Sequence, residues 1–250
     1  MTEASPNRYR DLIPWAEGVR ANRVYPLSIA EGRQSGAIFL DRPEAPTCAV
    51  FWHGCGFAYI SGDASEALLE ELAADLCRRY RRRMVLITDD EIALRWLRQK
   101  QYAVARRIEY EYAGGPAGPA PTGVRLERID ERNLPRITGR IVPAFSWEGD
   151  RFLQGGFGYA ALDGDEVCGA AFSAAVSSKE VDIGVEVRAD HRRRGIAGAL
   201  VRRMCEEILA QGKRPVWAHG EGNLASRATA LACGFTERKI NRYACLKQAE

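Results

Sequence analysis

The sequence lacks the cysteine arrangements that hold metal ions or disulfides. Its seven cysteines are an odd number, scattered from Cys48 to Cys245, and no CxxC pair occurs among them. Several lie within apolar stretches, so we interpret them as small buried residues of a protein in the reducing cytoplasm. His53 and Cys55 stand close together, but nothing in the sequence completes a ligand set with them. We therefore expect no bound metal.

The sequence also lacks long hydrophobic runs and a strong excess of one charge. No apolar run approaches the roughly 20 residues that a membrane span needs, and residues 1–15 contain no apolar core of a secretory signal. The formal net charge is +3, from 36 basic and 33 acidic residues, which is too balanced to indicate a nucleic-acid or membrane-surface protein. The RRYRRR run at 78–83 is interpreted as a solvated helix end, where cations face the helix dipole favourably. We expect a cytoplasmic globular protein with neither nucleic acid nor membrane as partner.

One stretch without charged or large apolar side chains divides the chain. Residues 113–123, AGGPAGPAPTG, consist mostly of Gly, Pro and Ala. Such a stretch holds neither a helix nor a central strand, so it is predicted to be an interdomain linker. We therefore predict one domain over residues 1–112 and a second over residues 124–250. Acidic and basic residues balance in the first, so the positive excess lies in the remainder of the chain.

The second half alternates predicted strands and helices. The elements are, in order, a strand at VRLER, a helix over IDERNLPRITGRIV with Asp130 as its cap and Pro135 in its first turns, a hairpin with an Asp163-Gly164 turn, a strand at VDIGVEV, a helix over 195–210, a strand at PVWAH, a helix over 223–233 ended by Gly234, and a final strand to Leu246. Hairpin strands followed by a strand–helix–strand–helix–strand order predict a mixed-sheet α/β domain.

The first half ends in a similar rhythm. Asp63 is predicted to cap a helix in which Glu66 completes a capping box, and a strand, a second helix and a second strand follow. Tyr102, before that last strand, falls opposite Phe235, before the final strand of the chain. This match predicts a diverged internal duplication. Chance similarity is the alternative, because helix–strand–helix–strand order is common.

The segment VEVRADHRRRGIAGALVRRM carries the most chemistry. A strand ends near Val187, a basic loop follows, and Gly195 opens an amphipathic helix. The first N–H groups of a helix have no intrahelical partner and lie at the positive end of its dipole. Glycines there let an anion approach the main chain, and Arg192 to Arg194 add positive charge. The pattern predicts a pyrophosphate cradle; a solvated basic turn is the alternative.

At this point the sequence resembles the GNAT acetyltransferase superfamily. The family signature for the acetyl-CoA pyrophosphate, Q/R-x-x-G-x-G/A, is matched by Arg192, Gly195 and Ala197. The resemblance implies acetyl-CoA as co-substrate and the following cofactor-binding set: Val185, Val187, Arg192, Arg193, Arg194, Gly195, Ile196, Ala197, Gly198, Asn223 and Ser226.

A second family element supports the first. It consists of an Asn, a small residue three positions later, and Gly-Phe eleven and twelve positions after the Asn, here Asn223, Ser226, Gly234 and Phe235. Several further segments in both halves, among them FWHGCGFAYISGD and FSWEGDRFL, resemble a two-part bacterial GNAT branch that includes the zwittermicin-resistance acetyltransferases. The resemblance implies an α/β (mixed α+β) fold of tandem GNAT-like domains. Each domain has a mixed, largely antiparallel sheet flanked by helices, and the first has lost its cofactor loop.

The resemblance also implies a mechanism, in which an amine attacks the thioester directly. We consider Glu186 as the base, with Asp182 four residues earlier on the same strand face; each is alternatively a solvent-facing or acceptor-binding carboxylate. The Tyr that protonates the leaving thiolate in the family is replaced by Ala230. Tyr243 and His219 are candidate proton donors or relays, although each is also an ordinary structural residue.

Three aromatic residues, Phe145, Trp147 and Phe152, lie where the family places acceptor-facing elements, and either an acceptor pocket or core packing explains them. The sequence thus predicts an acetyl-CoA-dependent N-acetyltransferase for a small-molecule amine, such as an antibiotic or an amino-acid-like metabolite. A non-catalytic acyl-CoA-binding or sensory module is the alternative, supported by Ala230. Nucleic-acid binding through the arginine clusters is a weaker third reading.

Overall fold

The structure is a computed structural model that describes residues 1–76, 83–115, 121, 123–149 and 151–247. The chain divides into two compact units. The first unit comprises Met1–Ile108 and Lys239–Glu250, and the second unit comprises Glu109–Arg238.

The strands of the described residues are β1 (Thr2–Glu3), β2 (Gly36–Leu40), β3 (Cys48–His53), β4 (Phe57–Gly62), β5 (Met84–Thr88), β6 (Val104–Tyr112), β7 (Arg125–Arg128), β8 (Gly158–Asp163), β9 (Glu166–Val176), β10 (Glu180–Val187), β11 (Arg214–Gly220) and β12 (Phe235–Lys247). The α-helices are α1 (Ile13–Gly18), α2 (Val24–Ala30), α3 (Glu66–Glu71), α4 (Glu91–Gln99), α5 (Arg151–Gly155), α6 (Ile196–Ala210) and α7 (Leu224–Ala232). Short 3₁₀ turns occupy Pro6–Leu12, Leu134–Arg136, Pro143–Phe145 and Ala189–His191, and a π turn occupies Leu72–Leu76. No helix among these residues is both long and apolar enough to span a bilayer.

In the first unit the strand order is β1-β2-β3-β4-β5-β12. Neighbours are antiparallel except for β4 and β5, which run parallel with helix α3 between them in the chain. The core buries apolar side chains of both strands and helices, including Phe39, Leu69, Leu86 and Trp96. Helices α3 and α4 each carry an apolar face because that face packs into this core.

The second unit repeats this topology in the order β6-β11-β10-β9-β8-β7. Strands β7 to β10 are antiparallel neighbours, and β10 and β11 run parallel. Helix α6, between β10 and β11 in the chain, packs against β8, β9 and β10 and buries Ile196, Leu200, Met204 and Ile208. The predicted mixed α/β fold with largely antiparallel sheets flanked by helices is confirmed.

The two units and the sequence-based domains have different boundaries. Residues 239–250 group with the first unit, because the end of β12 pairs with β5, with Tyr243 opposite Ile87. The other boundary follows Ile108, inside β6. Residues 116–120 and 122 of the predicted linker lie outside the described residues, as do Cys77 and residues 78–82 of the arginine-rich run.

Two local predictions are wrong. Helix α3 is capped by Ser65 rather than Asp63, because the Ser65 hydroxyl accepts the N–H of Leu68 at 3.2 Å. No long helix follows Asp130, whose carboxylate instead accepts the N–H groups of Arg132 and Asn133 and closes a tight turn. Prolines then restrict the chain to the two 3₁₀ turns between residues 134 and 145.

Candidate functional site

The site is built around the junction of β10 and α6. The chain leaves β10 at Val187, makes the 3₁₀ turn and enters α6 through Gly195, which adopts the left-handed conformation at φ 77°. No side chain caps this helix, so the N–H groups of Ile196, Ala197 and Gly198 have no intrahelical partner and remain open to a ligand. A Cβ at Gly195 would meet nothing within 4 Å. The predicted cradle is therefore open, and Gly195 is needed for its φ angle rather than for space.

The three loop arginines are all exposed but behave differently. The Arg192 side chain donates from Nε to the Val187 carbonyl oxygen at 3.2 Å, which ties the loop back to the strand. Arg193 has a positive φ of 63°, a conformation that few non-glycine residues adopt and that is frequent at functional sites. Its side chain forms no hydrogen bond with any described residue, whereas Arg194 pairs with Asp163 at 3.0 Å. Of the three, only Arg194 is held in an ion pair with a described residue, so the charges of Arg192 and Arg193 are available to an anion.

Acidic side chains behind the loop hold its basic residues in place. Asp163 accepts from Arg194 and lies 3.3 Å from His191 Nε2, and His191 Nδ1 lies 2.8 Å from Asp190. The hydrogen bond from Arg194 lowers the pKa of Asp163. His191 and, to a smaller extent, Arg188 lower the pKa of Asp190 to about 2. These carboxylates are ionised at neutral pH, and they orient the loop from its outer side.

The two parallel strands beside the cradle separate after a short paired stretch. Only Glu180, Val181 and Asp182 of β10 pair with β11, opposite Arg214, Pro215 and Val216. From Ile183 to Val187 the strand keeps its pairing with β9 but has none with β11. Main-chain groups around Val185 therefore have no partner on β11, whereas the Val187 carbonyl is already used by Arg192.

The second sequence element caps the neighbouring helix. Asn223 Oδ1 accepts the N–H of Ser226 at 3.1 Å at the start of α7, and the Ser226 hydroxyl accepts Trp217 Nε1–H at 2.9 Å. These contacts fix α7 against β11. Ala230 stands where the sequence resemblance implies a tyrosine. Its side chain is a completely buried methyl group and therefore offers no proton donor.

Glu186 contacts the loop that follows the 3₁₀ turn Leu134–Arg136. Its Oε2 atom accepts the N–H of Arg140 at 2.9 Å and the N–H of Ile141 at 2.5 Å. Asp182, on the same strand, is buried, whereas Glu186 is half-buried. Tyr243 belongs to the first unit, opposite Ile87 on β5, so it does not group with the second unit's candidates.

His219 is buried, and both of its ring nitrogens are engaged within the protein. Nδ1 lies 2.8 Å from the Gly220 carbonyl oxygen and Nε2 lies 3.1 Å from the Tyr110 hydroxyl. Since a carbonyl only accepts, Nδ1 carries a proton and donates it to the Gly220 oxygen, while the Tyr110 hydroxyl lies within hydrogen-bond distance of both His219 Nε2 and Glu237 Oε1. Burial and then the charge of Glu237, 3.4 Å away, raise the pKa of Tyr110. His219 thus belongs to an internal polar network.

The three aromatic candidates divide between core and surface. Trp147 and Phe152 are buried, and Trp147 donates from Nε1 to the Ser173 carbonyl oxygen at 2.7 Å. Phe152 packs edge-on against Trp147 and Phe172. Phe145 is half-buried. Core packing therefore accounts for Trp147 and Phe152.

Sequence reasoning missed the contacts made by residues distant in the chain. Gly139, Arg140 and Ile141 meet Glu186 from a segment predicted to be helical, and Gly139 and Pro143 were the signals against that helix. Nothing in the sequence pairs Tyr110 with His219. Among the described residues, no three His, Cys, Asp or Glu side chains cluster as metal ligands would.

Comparison with known families gives one match. The model of the family described as GNAT acetyltransferase matches residues 22–245, nearly the whole chain. No curated protein sequence matches.

Comparison with solved structures shows the same fold over full-length chains. A GCN5-related N-acetyltransferase-like protein from Streptococcus suis 89/1591 has a TM-score of 0.75 and 19% identity, covering 96% of this chain and 100% of that one. A GNAT-family acetyltransferase from Colwellia psychrerythraea has a TM-score of 0.61 and 11% identity over 98% and 99%. A tandem GNAT protein from the clavulanic acid biosynthesis pathway has a TM-score of 0.61 and 12% identity over 100% and 99%. At these identities the likeness concerns the fold alone.

Proposed function

The chain belongs to the GNAT acetyltransferase family, and from this premise we propose that it is an acetyl-CoA-dependent N-acetyltransferase acting on a small-molecule amine. The family and fold support acyl transfer. The proposal adds the identities of the two substrates, which are acetyl-CoA as the acyl donor and an amine as the acceptor.

The observation that carries the proposal is the open start of α6. Its N–H groups lack a side-chain cap, Gly195 brings the chain into the helix at a positive φ, and Arg193 keeps its charge free of ion pairs with described residues. Uncapped helix starts bind phosphate groups through main-chain donors and the helix dipole. These features fit the pyrophosphate of acetyl-CoA, and the unpaired edge of β10 offers main-chain groups to its acyl arm.

In the proposed reaction, acetyl-CoA supplies the thioester. The amine nitrogen bonds to the acetyl carbon, the carbon–sulfur bond breaks, and the amine gives up one proton as the CoA sulfur gains one. The protein's part is to hold both substrates in line. We assign the donor end to the α6 cradle and the acceptor end to the cleft beside Glu186, which Ile137, Thr138, Ile141 and Arg188 help to line.

A second candidate is a module that binds acyl-CoA without turnover. It is favoured by Ala230, which is buried and apolar where the family places a phenol, and by His219, whose ring nitrogens are both satisfied inside the protein. A catalyst of this geometry would protonate the thiolate from solvent or from another side chain.

The experiment measures acetyl-CoA binding by isothermal titration calorimetry and CoA thiol release over a panel of small amines. We expect binding and thiol release with at least one amine. The Arg193→Glu variant should bind acetyl-CoA at least about tenfold more weakly, since it reverses the charge beside the cradle. Arg95→Glu, an equal charge change on the exposed face of α4, is the control. Unchanged affinity of Arg193→Glu contradicts the cradle, and tight binding without turnover on any amine favours the module.

We further propose that the chain belongs to the two-part GNAT branch that includes the zwittermicin-resistance acetyltransferases. Support comes from its two units and from the fold shared with a tandem GNAT protein. We propose a cytoplasmic setting, which fits the free state of all six described cysteines. A small amine, rather than a nucleic acid or a membrane, is the proposed partner.

A further inference from the structure

Glu186 links two parts of the second unit. Its backbone belongs to the stretch of β10 that is unpaired with β11, and its side chain reaches the 137–142 loop. Within that loop two successive N–H groups, those of Arg140 and Ile141, converge on the single atom Oε2. Successive main-chain N–H groups that converge in this way form an anion nest, and here the nest is filled by the protein's own carboxylate.

Gly139 shows how closely the loop fits this carboxylate. Its φ is 139°, in the region that favours glycine. A Cβ at this position would lie 2.9 Å from Glu186 Cδ and 3.0 Å from Oε2. A side chain at residue 139 would therefore push against the end of the Glu186 side chain and displace its carboxylate.

No cationic side chain among the described residues forms an ion pair with the Glu186 carboxylate. Arg188, the arginine that lines the cleft, is paired with Glu166 and Asp190 instead. The loop itself is exposed at Thr138, Arg140 and Ile141, so little other than Glu186 orders it. Removing the carboxylate should release it.

We propose that Glu186 is a positioning residue, whose carboxylate holds the 137–142 loop in place as the wall of the acceptor cleft. This inference rests on the proposed function for the meaning of the cleft. In a general-base role a carboxylate oxygen would take the proton of the amine; in the positioning role the contacts of Oε2 with the two main-chain donors are what matters, and the substitutions below separate the two. The side chain controls where the amine can lie, and its effect reaches the reaction through the loop.

Two substitutions separate the roles. Glu186→Gln keeps a carbonyl oxygen that accepts both N–H groups, but it is not a base; Glu186→Ala removes the contact. Glu131→Gln and Glu131→Ala, at an exposed carboxylate outside the cleft, are the matched controls. Amide exchange at Arg140 and Ile141 reports on the loop without any activity, and KM for the amine, kcat and the pH profile report on the reaction.

We expect Glu186→Ala to speed exchange at Arg140 and Ile141 by about tenfold or more and to raise the amine KM by a similar factor. Glu186→Gln should recover most of both effects and leave the pH profile of kcat in place. Unchanged exchange in Glu186→Ala overturns the proposal. So does a kcat loss in Glu186→Gln as large as in Glu186→Ala, with a flattened pH profile, because that result identifies a base. If no amine is acetylated, the proposed function fails, and the exchange rates still decide the loop contact.

Discussion

The same arrangement of two parallel strands and an intervening helix occurs in both units with opposite local chemistry. In the first unit, the start of α3 is closed by the Ser65 hydroxyl and preceded by Asp63. In the second unit, the start of α6 is uncapped, preceded by arginines and entered through Gly195 at positive φ. The Ser65 hydroxyl takes up one donor that a phosphate would otherwise use, and the charge of Asp63 repels a phosphate. Under the proposed function, one fold therefore serves as a scaffold in one unit and as an anion site in the other.

The units differ further at the parallel strands themselves. Tyr25 stacks on Tyr59 with 6.0 Å between ring centroids and packs edge-on against His53 and Phe57. All of these side chains are buried, so the first unit fills the region around β4 with its own aromatic rings. The corresponding strand of the second unit, β10, carries Gly184 instead of such rings, although the parallel pairing spans three residue pairs in both units. Under the proposed function, the second unit binds the cofactor, and the filled aromatic region of the first unit serves packing.

The largest effect should come from making the second unit resemble the first. Gly195→Asp places a carboxylate at the start of α6, and we expect acetyl-CoA affinity to fall about a hundredfold through repulsion and lost helix-dipole attraction. Gly212→Asp is a matched control, because Gly212 also has positive φ, 70°, and open space around it, but lies after the C-terminus of α6. Calorimetric titration measures both. Equal losses in the two variants would trace the effect to backbone strain and break the comparison.

The polar interior of the second unit should be the next most sensitive feature. Tyr110→Phe leaves Nε2 of the buried His219 without its partner, and we expect the free energy of unfolding to fall by about 1–3 kcal/mol. In the first unit, Tyr9→Phe removes a half-buried hydroxyl that makes a 3.4 Å contact to the Gly36 carbonyl and a main-chain contact to Ile38, and this change should cost about 0.5 kcal/mol or less. Urea unfolding measures both. A Tyr110→Phe variant as stable as wild type would remove this distinction between the units.

The cap of the first unit should affect stability but not binding. Ser65→Ala removes the hydroxyl that accepts from Leu68, and we expect a loss of about 1 kcal/mol in unfolding free energy. Acetyl-CoA affinity should stay unchanged and the stoichiometry should stay at one per chain. Thermal unfolding and calorimetry provide the two readouts. A second bound acetyl-CoA in the variant would show that the cap alone keeps the first unit empty.

The smallest expected effect is a loss of folding stability at acid pH. Asp163 and Asp190 have pKa values lowered by their basic partners, so their folded forms bind protons less readily than their unfolded forms. Their contribution to stability is therefore present above the ordinary value of 3.8 and is lost as the pH falls towards about 2, the pKa of Asp190. The difference in Tm between wild type and Asp163→Asn should be measurable at pH 6 and vanish near pH 2. Asp165→Asn, in the same exposed turn, should show no such difference.

Much of this contrast was predictable from local sequence. The order strand, basic loop, Gly195 and amphipathic helix predicts the start of α6, which the structure confirms, and anion binding there stays a prediction from the same residues. The capping residue of α3 was missed because Asp63 and Ser65 are both good caps and only the backbone path decides between them. The family resemblance, rather than periodicity, supplied the acetyl-CoA assignment.

The rest depends on contacts between distant segments. Glu186 was predicted as a base from its strand position, and its contact with Arg140 and Ile141 follows from a loop that prolines and Gly139 keep out of the helical state. His219 was predicted as a relay, and its partner Tyr110 lies on a strand from the other half of the sequence. Sequence periodicity is blind to such pairings.

The pairing of β12 with β5 has a consequence for how the protein is made. The first unit closes its sheet with residues near the end of the sequence, where Tyr243 lies opposite Ile87. During synthesis at about 5–20 residues per second, β5 emerges several seconds before its partner exists. Until then one edge of β5 is an open template for pairing with other chains. Aggregation or chaperone binding therefore competes with folding in the interval between the synthesis of β5 and that of β12. Slowing translation of the second half should lengthen this interval.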